Sequence, residues 1–397
     1  MTEIYLDNSA TTPLCPAAIE KMTEVMNGIY GNPSSLHKMG LAAEKVMEEA
    51  RGNILAALCP AKTGIRPKKE QLIFTASGTE ANNLALIGTM TAKPRNKGKK
   101  LIVSETEHPS VLEAAKHLET LGYKVAYIPS PKGVFDIKKY NEELTADTVL
   151  VSVMLVNNET GAMNDIAEIA KMAKAVSPDV LVHCDAVQGF LKTQASPLPH
   201  ADMVTISAHK IGGPKGVGAL YVSEKVLKTK SLVPVIFGGG QENGFRSGTE
   251  NVIGIAGFGA AAKNGASHLT KVLADFAELR AYFIEKYPEY LGDSVRINEP
   301  ESKTKAAHII SLTVSGFKSE TLLHSLSGYG VYVSSGSACS SNTGHASYVL
   351  HSFGISDSDA DSTLRISFGE QNTKADIDAL LHALKESMAK LARIRRR

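Results

Sequence analysis

The amino-acid sequence predicts an α/β fold, in which a mostly parallel seven-stranded sheet is covered by helices on both faces. Seven short apolar or β-branched runs lack the polar alternation of a half-exposed strand, and helical stretches separate most of them. The strand-like runs are 71–75, 101–104, 124–128, 148–153, 180–184, 203–207 and 218–222. The helical stretches include 80–91, 109–121 and 166–175.

The last third of the chain has a different pattern, which predicts a smaller α+β domain. A long amphipathic helix over 264–287 is followed by alternating strand-like and helical pieces. The strand-like pieces are 309–314, 331–334 and 364–367, and the helical pieces are 319–326, 348–353 and 374–394. Because 397 residues exceed what one hydrophobic core usually holds, we expect two domains. The large α/β domain would span 16–263, and the small domain would combine 1–15 with 264–397.

Composition excludes several classes of function. The 43 Lys and Arg residues nearly balance the 41 Asp and Glu residues, so we expect no direct binding to nucleic acid. No apolar run approaches the roughly 20 residues that a membrane helix needs. The four cysteines lie far apart without a C-x-x-C pair, which predicts neither a metal site nor a disulfide framework. A reducing cytoplasmic setting fits best, and there a thiol is available for chemistry.

The first segment with reactive groups is 74–83, where a predicted strand runs through Ser77, Gly78 and Thr79 into a helix. Backbone N–H groups at the helix start, together with the Thr79 hydroxyl, could hold an anion. The same turn is also typical of a plain capped helix, with Ser77 as the N-cap and Glu80 as its capping-box partner.

Two further segments place a carboxylate and an amine at predicted strand ends. Asp185 ends the strand in 182–188, at the edge where open α/β sheets bind ligands. It could pair with a protonated ring nitrogen, or it could cap a helix. Lys210 ends the strand in 205–218, in the sequence Ser-Ala-His-Lys before a glycine-rich loop. It could act as a nucleophilic amine, or it could be a surface lysine.

An anion cradle, a carboxylate for a ring nitrogen and an amine are together the protein groups that pyridoxal 5′-phosphate (PLP) requires. Further motifs accompany them at 5–12, 31–37, 106–108, 156–161, 238–242, 246–249 and 364–369. With these motifs the sequence resembles the class V aminotransferase group of fold-type I PLP enzymes. Within that group it resembles the cysteine desulfurases that supply iron–sulfur cluster assembly, over nearly the whole chain.

The resemblance implies that one pocket holds PLP and carries out catalysis. Lys210 would bind the cofactor covalently and, once released, would move protons at the substrate. Asp185 would keep the ring nitrogen protonated, and His108 would stack on the ring and act as an acid or base. Gln188 would bond the phenolic oxygen of the ring. Asn158 would lie near that oxygen and the substrate carboxylate.

The resemblance also implies partners for the phosphate and for the substrate carboxylate. The phosphate would be held by Gly78, Thr79, Ser207 and His209. Thr249 would reach the phosphate from a second subunit, which implies a homodimer with shared active sites. Arg365 would clamp the substrate carboxylate with its two-pronged guanidinium, although an arginine at a strand end is equally typical of a surface salt bridge.

Segment 334–345 is almost entirely small and polar and carries Cys339 at its centre. This pattern predicts a mobile loop with an exposed, reactive thiol. The other cysteines have hydrophobic or strand neighbours and are expected to fill the core; they are Cys15, Cys59 and Cys184. The resemblance implies that L-cysteine is converted to L-alanine, with a persulfide left on Cys339. The sulfur would pass to an acceptor protein that serves cluster assembly or tRNA thiolation.

Other activities on the same fold stay open. A selenocysteine lyase would use nearly the same groups, so turnover of selenocysteine against cysteine separates the two. A class V aminotransferase would keep Lys210 and Asp185 but needs no loop cysteine, so segment 334–345 argues against it. A regulatory or scaffold subunit would be expected to lack a catalytic group, and none of the implied groups is missing from the sequence.

Overall fold

The structure is a computed structural model that describes residues 3–59, 64–92, 98–335 and 347–395. In chain order its first strands are β1 (Ile4–Tyr5), β2 (Leu72–Thr75), β3 (Lys100–Ser104), β4 (Lys124–Ile128), β5 (Thr148–Ser152), β6 (Leu181–Asp185), β7 (Met203–Ser207) and β8 (Gly218–Val222). Among the described residues the central sheet has seven strands, in the order β2-β8-β7-β6-β5-β3-β4. Only β8 within this sheet runs antiparallel to its neighbours.

The helices, within the same described ranges, cover both faces of this sheet. They are α1 (Pro16–Gly28), α2 (Lys38–Leu58), α3 (Gly78–Met90), α4 (Pro109–Thr120), α5 (Ile137–Glu143), α6 (Ile166–Val176), α7 (Glu224–Lys228), α8 (Val252–Leu291), α9 (Ser319–Ser327), α10 (Tyr348–Phe353), α11 (Asp357–Ala360) and α12 (Lys374–Arg395). Alternate residues of one strand pack on opposite faces. In β3, Leu101 and Val103 contact the cluster that includes α3 and α4, whereas Ile102 contacts the cluster that includes α2, α6 and α8. The predicted fold class is therefore confirmed.

Helix α8 begins at Val252, well before the predicted start at 264. The first turns carry glycines and alanines without a polar face, because they pack against other helices on more than one side. A Cβ at Gly259 would collide with Ala50 of α2, so glycine permits the close approach. The helix bends at His268, whose backbone leaves the helical region. No helix in the described ranges is both long enough and apolar enough to cross a membrane.

The C-terminal part forms a second sheet from β9 (Val295–Ile297), β10 (Ile309–Val314), β12 (Ser334–Ser335) and β13 (Thr363–Ser367). Its order is β12-β13-β10-β9, and all its pairings are antiparallel. The N-terminal β1 pairs in parallel with β11 (Val331–Tyr332). A separate apolar cluster lies against this sheet, with contributions from α8, α9 and α12. The division into domains 16–263 and 1–15 with 264–397 stays a prediction.

Candidate active site

A cavity of about 370 Å³ is lined by residues at the carboxyl ends of β6 and β7 and at the start of α3. Parallel strands bring their carboxyl ends to one edge of the sheet, and this is where the chain concentrates its polar side chains. Ten residues predicted from the sequence line the cavity, namely Gly78, Thr79, His108, Asn158, Asp185, Gln188, Ser207, His209, Lys210 and Arg365. Thr249 is exposed and lies outside this lining. Cys339 lies outside the described residues.

Lys210 stands at the end of a short 3₁₀ turn that follows β7. Its Nζ donates hydrogen bonds to the carbonyl oxygens of Ser9, at 2.6 Å, and Ala10, at 2.8 Å. The N-terminal segment therefore reaches this edge of the large sheet and orients the amine inside the cavity. Carbonyl oxygens carry no net charge, so these two bonds hold the amine without an ion pair.

Asp185 anchors a hydrogen-bonded chain of four side chains, which we call the Asp185 network. Both Asp185 oxygens accept hydrogen bonds, one from Asn82 Nδ2 at 2.7 Å and one from the Val187 backbone N–H at 2.9 Å. Asn82 Nδ2 also donates to Ser110 Oγ at 2.8 Å. Ser110 Oγ lies 2.8 Å from His108 Nδ1, so the network joins the two predicted ring contacts.

The protonation of His108 follows from this geometry. The backbone N–H of Ser110 donates to His108 Nδ1 over 3.1 Å, so Nδ1 is the acceptor and the neutral ring carries its proton on Nε2. Burial lowers the pKa of His108 from its ordinary value, the Asp185 carboxylate opposes this, and the charge of Lys210 adds to the lowering. His108 is thus held as a neutral ring at neutral pH.

The turn before α3 is a capped helix start whose geometry leaves backbone donors for an anion. Ser77 Oγ accepts from the Glu80 N–H at 3.2 Å, and Glu80 Oε2 accepts from the Ala76 N–H at 3.0 Å. This cap leaves the N–H groups of the first turn, at Gly78 and Thr79, without intrahelical partners. Strand β8 lies directly behind the turn, because a Cβ at Gly218 would come within 2.6 Å of the Ser77 carbonyl carbon.

Two more predicted residues stand beside this turn. Ser207 is buried at the end of β7, and His209 lies two residues further on. The pKa of His209 is lowered to about 4, mainly by burial and in smaller part by the charges of Lys210, Lys215 and Lys192. His209 is therefore a neutral hydrogen-bonding group at this end of the cavity.

The opposite wall of the cavity carries Arg365, which projects from β13 of the second sheet. Its Nη2 donates to Asp7 Oδ1 at 2.8 Å and its Nη1 donates to the Asn158 carbonyl at 3.1 Å. Its Nε is buried and has no hydrogen-bond partner in the described part of the chain. A buried guanidinium N–H without a hydrogen-bond partner destabilises the folded protein. The Arg365 Nε–H on this wall therefore favours the binding of a group that can accept a hydrogen bond.

Glu159, next to Asn158, is the second charged group of that wall. The pKa of Glu159 is raised to about 7, because burial outweighs the lowering by a hydrogen bond from Ser347 and by the charge of Arg365. Ser347 Oγ donates to Glu159 Oε2 at 2.6 Å, and it also accepts from the Leu350 N–H to cap α10. The carboxyl group therefore joins the cavity to the start of α10.

Sequence reasoning did not single out five residues that shape the cavity, namely Asp7, Ser9, Asn82, Ser110 and Glu159. Signals for some of them exist. Asn82 lies four residues after Gly78, so both are on one face of α3, and Ser110 lies in the first turn of α4, two residues after the N-cap His108. Glu159 lies within the matching motif at 156–161. The role of the Ser9 carbonyl could not be predicted from the residue type, since every residue has a backbone carbonyl.

Comparisons with known proteins agree with this arrangement. The family described as aminotransferase class-V matches residues 4–380. A relative named cysteine desulfurase IscS, from Dictyoglomus turgidum, is 38% identical over 395 residues, which cover 99% of this chain and 96% of the relative. A solved structure of a NifS-like protein superposes with a TM-score of 0.88 at 32% identity, covering 98% of this chain and 100% of that one.

A third similar protein is known in a ligand complex. The structure described as SspA in complex with cysteine has a TM-score of 0.77 and 30% identity, and the match covers 92% of this chain and 98% of that one. The family match spans nearly the whole chain, and it includes every cavity residue described above. The chain therefore belongs to the aminotransferase class-V family.

Proposed function

We propose that this protein is a PLP-dependent cysteine desulfurase, which converts L-cysteine to L-alanine and transfers the sulfur to Cys339 as a persulfide. The observation that carries the proposal is that one cavity holds a lysine amine, a hydrogen-bonded carboxylate, a neutral histidine and an arginine together. The activity predicted from the sequence is confirmed at the level of enzyme class by the cysteine desulfurase relative, which matches end to end.

The residues of the cavity fit PLP in chemical type and in order. The start of α3, with Ser207 and His209, offers N–H and O–H donors for a phosphate. Asp185 lies on the same edge of the sheet and accepts from neutral donors, so it keeps its capacity to pair with a ring N–H. When bound, PLP supplies an electron sink for negative charge at the substrate Cα.

In this proposal Lys210 and His108 move the protons. The Lys210 amine must break its hydrogen bonds to the Ser9 and Ala10 carbonyls before it reacts. The same two carbonyls can accept hydrogen bonds again from the ammonium form of Lys210. Neutral His108 presents its Nε2–H away from the Asp185 network, so the nitrogen that can exchange a proton is the one not tied to Ser110. Gln188, Asn158 and Thr79 orient the ligand, in line with the roles that the resemblance implies.

Arg365 binds the substrate carboxylate in this proposal. Its buried Nε has no partner in the described chain, and a carboxylate would supply the missing acceptor. Asp7, which accepts from Nη2, orients the guanidinium before substrate arrives. Pre-orientation of this kind reduces the entropy that binding costs.

Cys339 carries the sulfur transfer in this proposal. Its thiolate attacks the sulfur of bound L-cysteine, the Cβ–S bond of the substrate breaks, and Cβ takes up a proton to give alanine. The persulfide then passes to an acceptor protein, which we propose serves cluster assembly or tRNA thiolation. This chemistry needs a reduced thiol, so we keep a cytoplasmic setting as part of the proposal.

A homodimer is also part of the proposal, with Thr249 reaching the phosphate of the partner subunit. Thr249 is exposed on this chain, and several large apolar side chains are exposed as well. Leu36, Tyr30 and Phe237 have 95%, 83% and 81% of their surface accessible, so they offer apolar area for contact with a second chain. Light scattering of the purified protein tests the dimer.

The activity test combines a spectrum with two product assays. The PLP-loaded protein is expected to show a visible absorption band and to form alanine and, with a reductant, sulfide from L-cysteine. Cys339→Ser should keep the band and lose sulfide formation, while Lys210→Ala should lose the normal band. Cys15→Ser is the matched control, because Cys15 lies outside the cavity lining, and it should keep both products. Undiminished sulfide from Cys339→Ser would contradict the persulfide assignment.

A second assay separates this function from a selenocysteine lyase. L-selenocysteine and L-cysteine are supplied at equal concentration, and alanine formation is followed for each. A desulfurase is expected to form alanine from L-cysteine at a rate comparable to that from L-selenocysteine. A lyase specific for selenium would form almost no alanine from L-cysteine.

A further inference from the structure

Lys192 is a buried lysine that the proposed chemistry does not use. It lies in the turns after β6, four residues beyond Gln188, and only 6% of its surface is accessible. No carboxylate of the described chain lies within ion-pair distance of its amine. The charged or titratable groups that act electrostatically with it are His209, Lys210, His308, Arg365 and Glu370.

The Lys192 amine contacts one side chain of the cavity. Its Nζ lies 3.4 Å from Gln188 Oε1 and 3.5 Å from the Asn8 carbonyl. Gln188 Nε2 donates to the Ser9 carbonyl over 2.8 Å. The Ser9 carbonyl can only accept, so it requires the Gln188 Nε2 group, and the Lys192 amine donates, so it requires Gln188 Oε1. Both contacts therefore favour the same orientation of the Gln188 amide. The second Nε2–H of Gln188 is then left for a ligand in the cavity.

We propose that Lys192 is a positioning residue, which holds the Gln188 amide so that an N–H group, and not the oxygen, faces the bound cofactor. The inference rests on the proposed function, in which Gln188 donates to the phenolic oxygen of the PLP ring. If the Gln188 amide were rotated, its Oε1 would face the phenolic oxygen of the ring, and two hydrogen-bond acceptors repel each other.

The cost of burying this amine supports a role beyond packing. The pKa of Lys192 is lowered to about 7, mainly by burial and in smaller part by the charges of Lys210 and Arg365, against an opposing effect of Glu370. Replacing a buried charge with an apolar side chain of similar volume is often neutral or stabilising. A lysine kept only to fill space would therefore be replaceable by methionine without loss of cofactor binding.

The test is a double-mutant cycle on PLP binding. Lys192→Met is made in the wild-type and in the Gln188→Ala background, and the apparent dissociation constant of PLP is measured on the four apoproteins by titration. We expect about tenfold weaker binding for Lys192→Met alone, the size of one hydrogen bond to a charged group. In the Gln188→Ala background the same change should have less than about twofold effect, because coupled residues are not additive.

Two further measurements separate positioning from structure. The melting temperature of the Lys192→Met apoprotein should equal or exceed that of the wild type. Lys100→Met is the matched control, since this partly buried lysine pairs with Glu143 at the amino end of β3, and it should leave PLP binding unchanged. If Lys192→Met does not fold, Lys192→Gln takes its place in the cycle.

The outcomes are distinct. Equal losses in both backgrounds, or no loss in either, would overturn the positioning role. A lower melting temperature together with weaker binding in both backgrounds would assign Lys192 to packing. A wild-type protein that binds no PLP would instead refute the proposed function itself, and the inference with it.

Discussion

The two walls of the cavity hold their carboxyl groups in different ways. On one wall, both oxygens of Asp185 accept hydrogen bonds from the chain itself, through Asn82 and the Val187 N–H. On the other wall, burial raises the pKa of Glu159 to about 7, and the neighbouring Arg365 keeps a buried Nε without a partner among the described residues. On the first wall the chain itself supplies donors to both carboxylate oxygens. On the second wall a guanidinium N–H has no acceptor among the described residues.

In the proposed function, PLP binds at the first wall and stays bound for a long time, whereas the substrate binds at the second wall only briefly. A cofactor that stays bound through many turnovers is best served by side chains that are already in place. A substrate that enters and leaves at every turnover is better served by groups whose interactions change on binding. The four predictions below test this contrast, from the largest expected effect to the smallest.

Asp185→Asn removes the charge from the first wall while keeping its shape. A charge pair at about 4 Å with an effective dielectric constant near 20 contributes about 4 kcal/mol, so we expect alanine formation to slow about a thousandfold. PLP should still bind through Lys210. Stopped-flow absorbance and alanine assays measure both quantities, and a loss below about tenfold would show that the carboxylate is not paired with the ring.

Glu159→Gln tests the second wall through the pH dependence of stability. The folded-state pKa of Glu159, about 7, lies above its ordinary value, so the stabilisation is present at acidic pH and lost as pH rises toward 7. The free energy of unfolding should fall by about 3 kcal/mol over this range because of Glu159. Glutamine cannot ionise, so urea unfolding at about pH 5 and about pH 8 should show a smaller fall in the variant. Equal falls in both proteins would contradict the assignment.

Arg365→Lys replaces the two-pronged donor with a point charge. Lysine cannot reproduce the planar fork, and we expect a loss of about 2 kcal/mol in substrate binding, seen as KM for L-cysteine rising about thirtyfold. The visible band of bound PLP should stay unchanged. Arg296→Lys is the control, because this exposed arginine pairs with Asp359 far from the cavity lining. An altered band in Arg365→Lys would place the arginine on the cofactor wall instead.

Ser110→Ala is the mildest change to the first wall. It removes the hydroxyl between Asn82 and His108 but keeps the backbone N–H that donates to His108 Nδ1. The tautomer of the ring is therefore preserved, and we expect a loss of about 1 kcal/mol, or about fivefold in kcat/KM. If kcat/KM fell as much as for Asp185→Asn, the side chains of the Asp185 network would depend on one another instead of contributing separately.

The strands of the central sheet could be predicted from the sequence because they are buried on both faces, which leaves uninterrupted apolar runs. The start of α8 could not, because residues such as Gly259 pack on several sides and show no amphipathic period. Strand-end groups such as Asp185 and Lys210 were predictable for a related reason. Strand ends are visible in the sequence, and parallel strands bring them to one edge.

Other parts of the site depend on geometry that residue types do not reveal. Asn82 and Ser110 gain their role only when α3 and α4 pack side by side, and Lys192 gains its role from burial, which is exceptional for lysine. The role of Thr249 requires a second chain, and Cys339 lies outside the described residues. These two assignments stay predictions, carried by the resemblance and by the residues around them.

The N-terminal segment that supplies carbonyls to Lys210 and Gln188 is itself held by the last strand of the second sheet. Asn8 Nδ2 donates to the Ser367 carbonyl, 359 positions away, and the Ser9 N–H donates to Ser367 Oγ. A ribosome must therefore synthesise the chain as far as β13 before this segment finds its place. Contacts this distant in sequence form late. We expect a nascent chain to build the central sheet early and to acquire PLP affinity only after β13 has emerged.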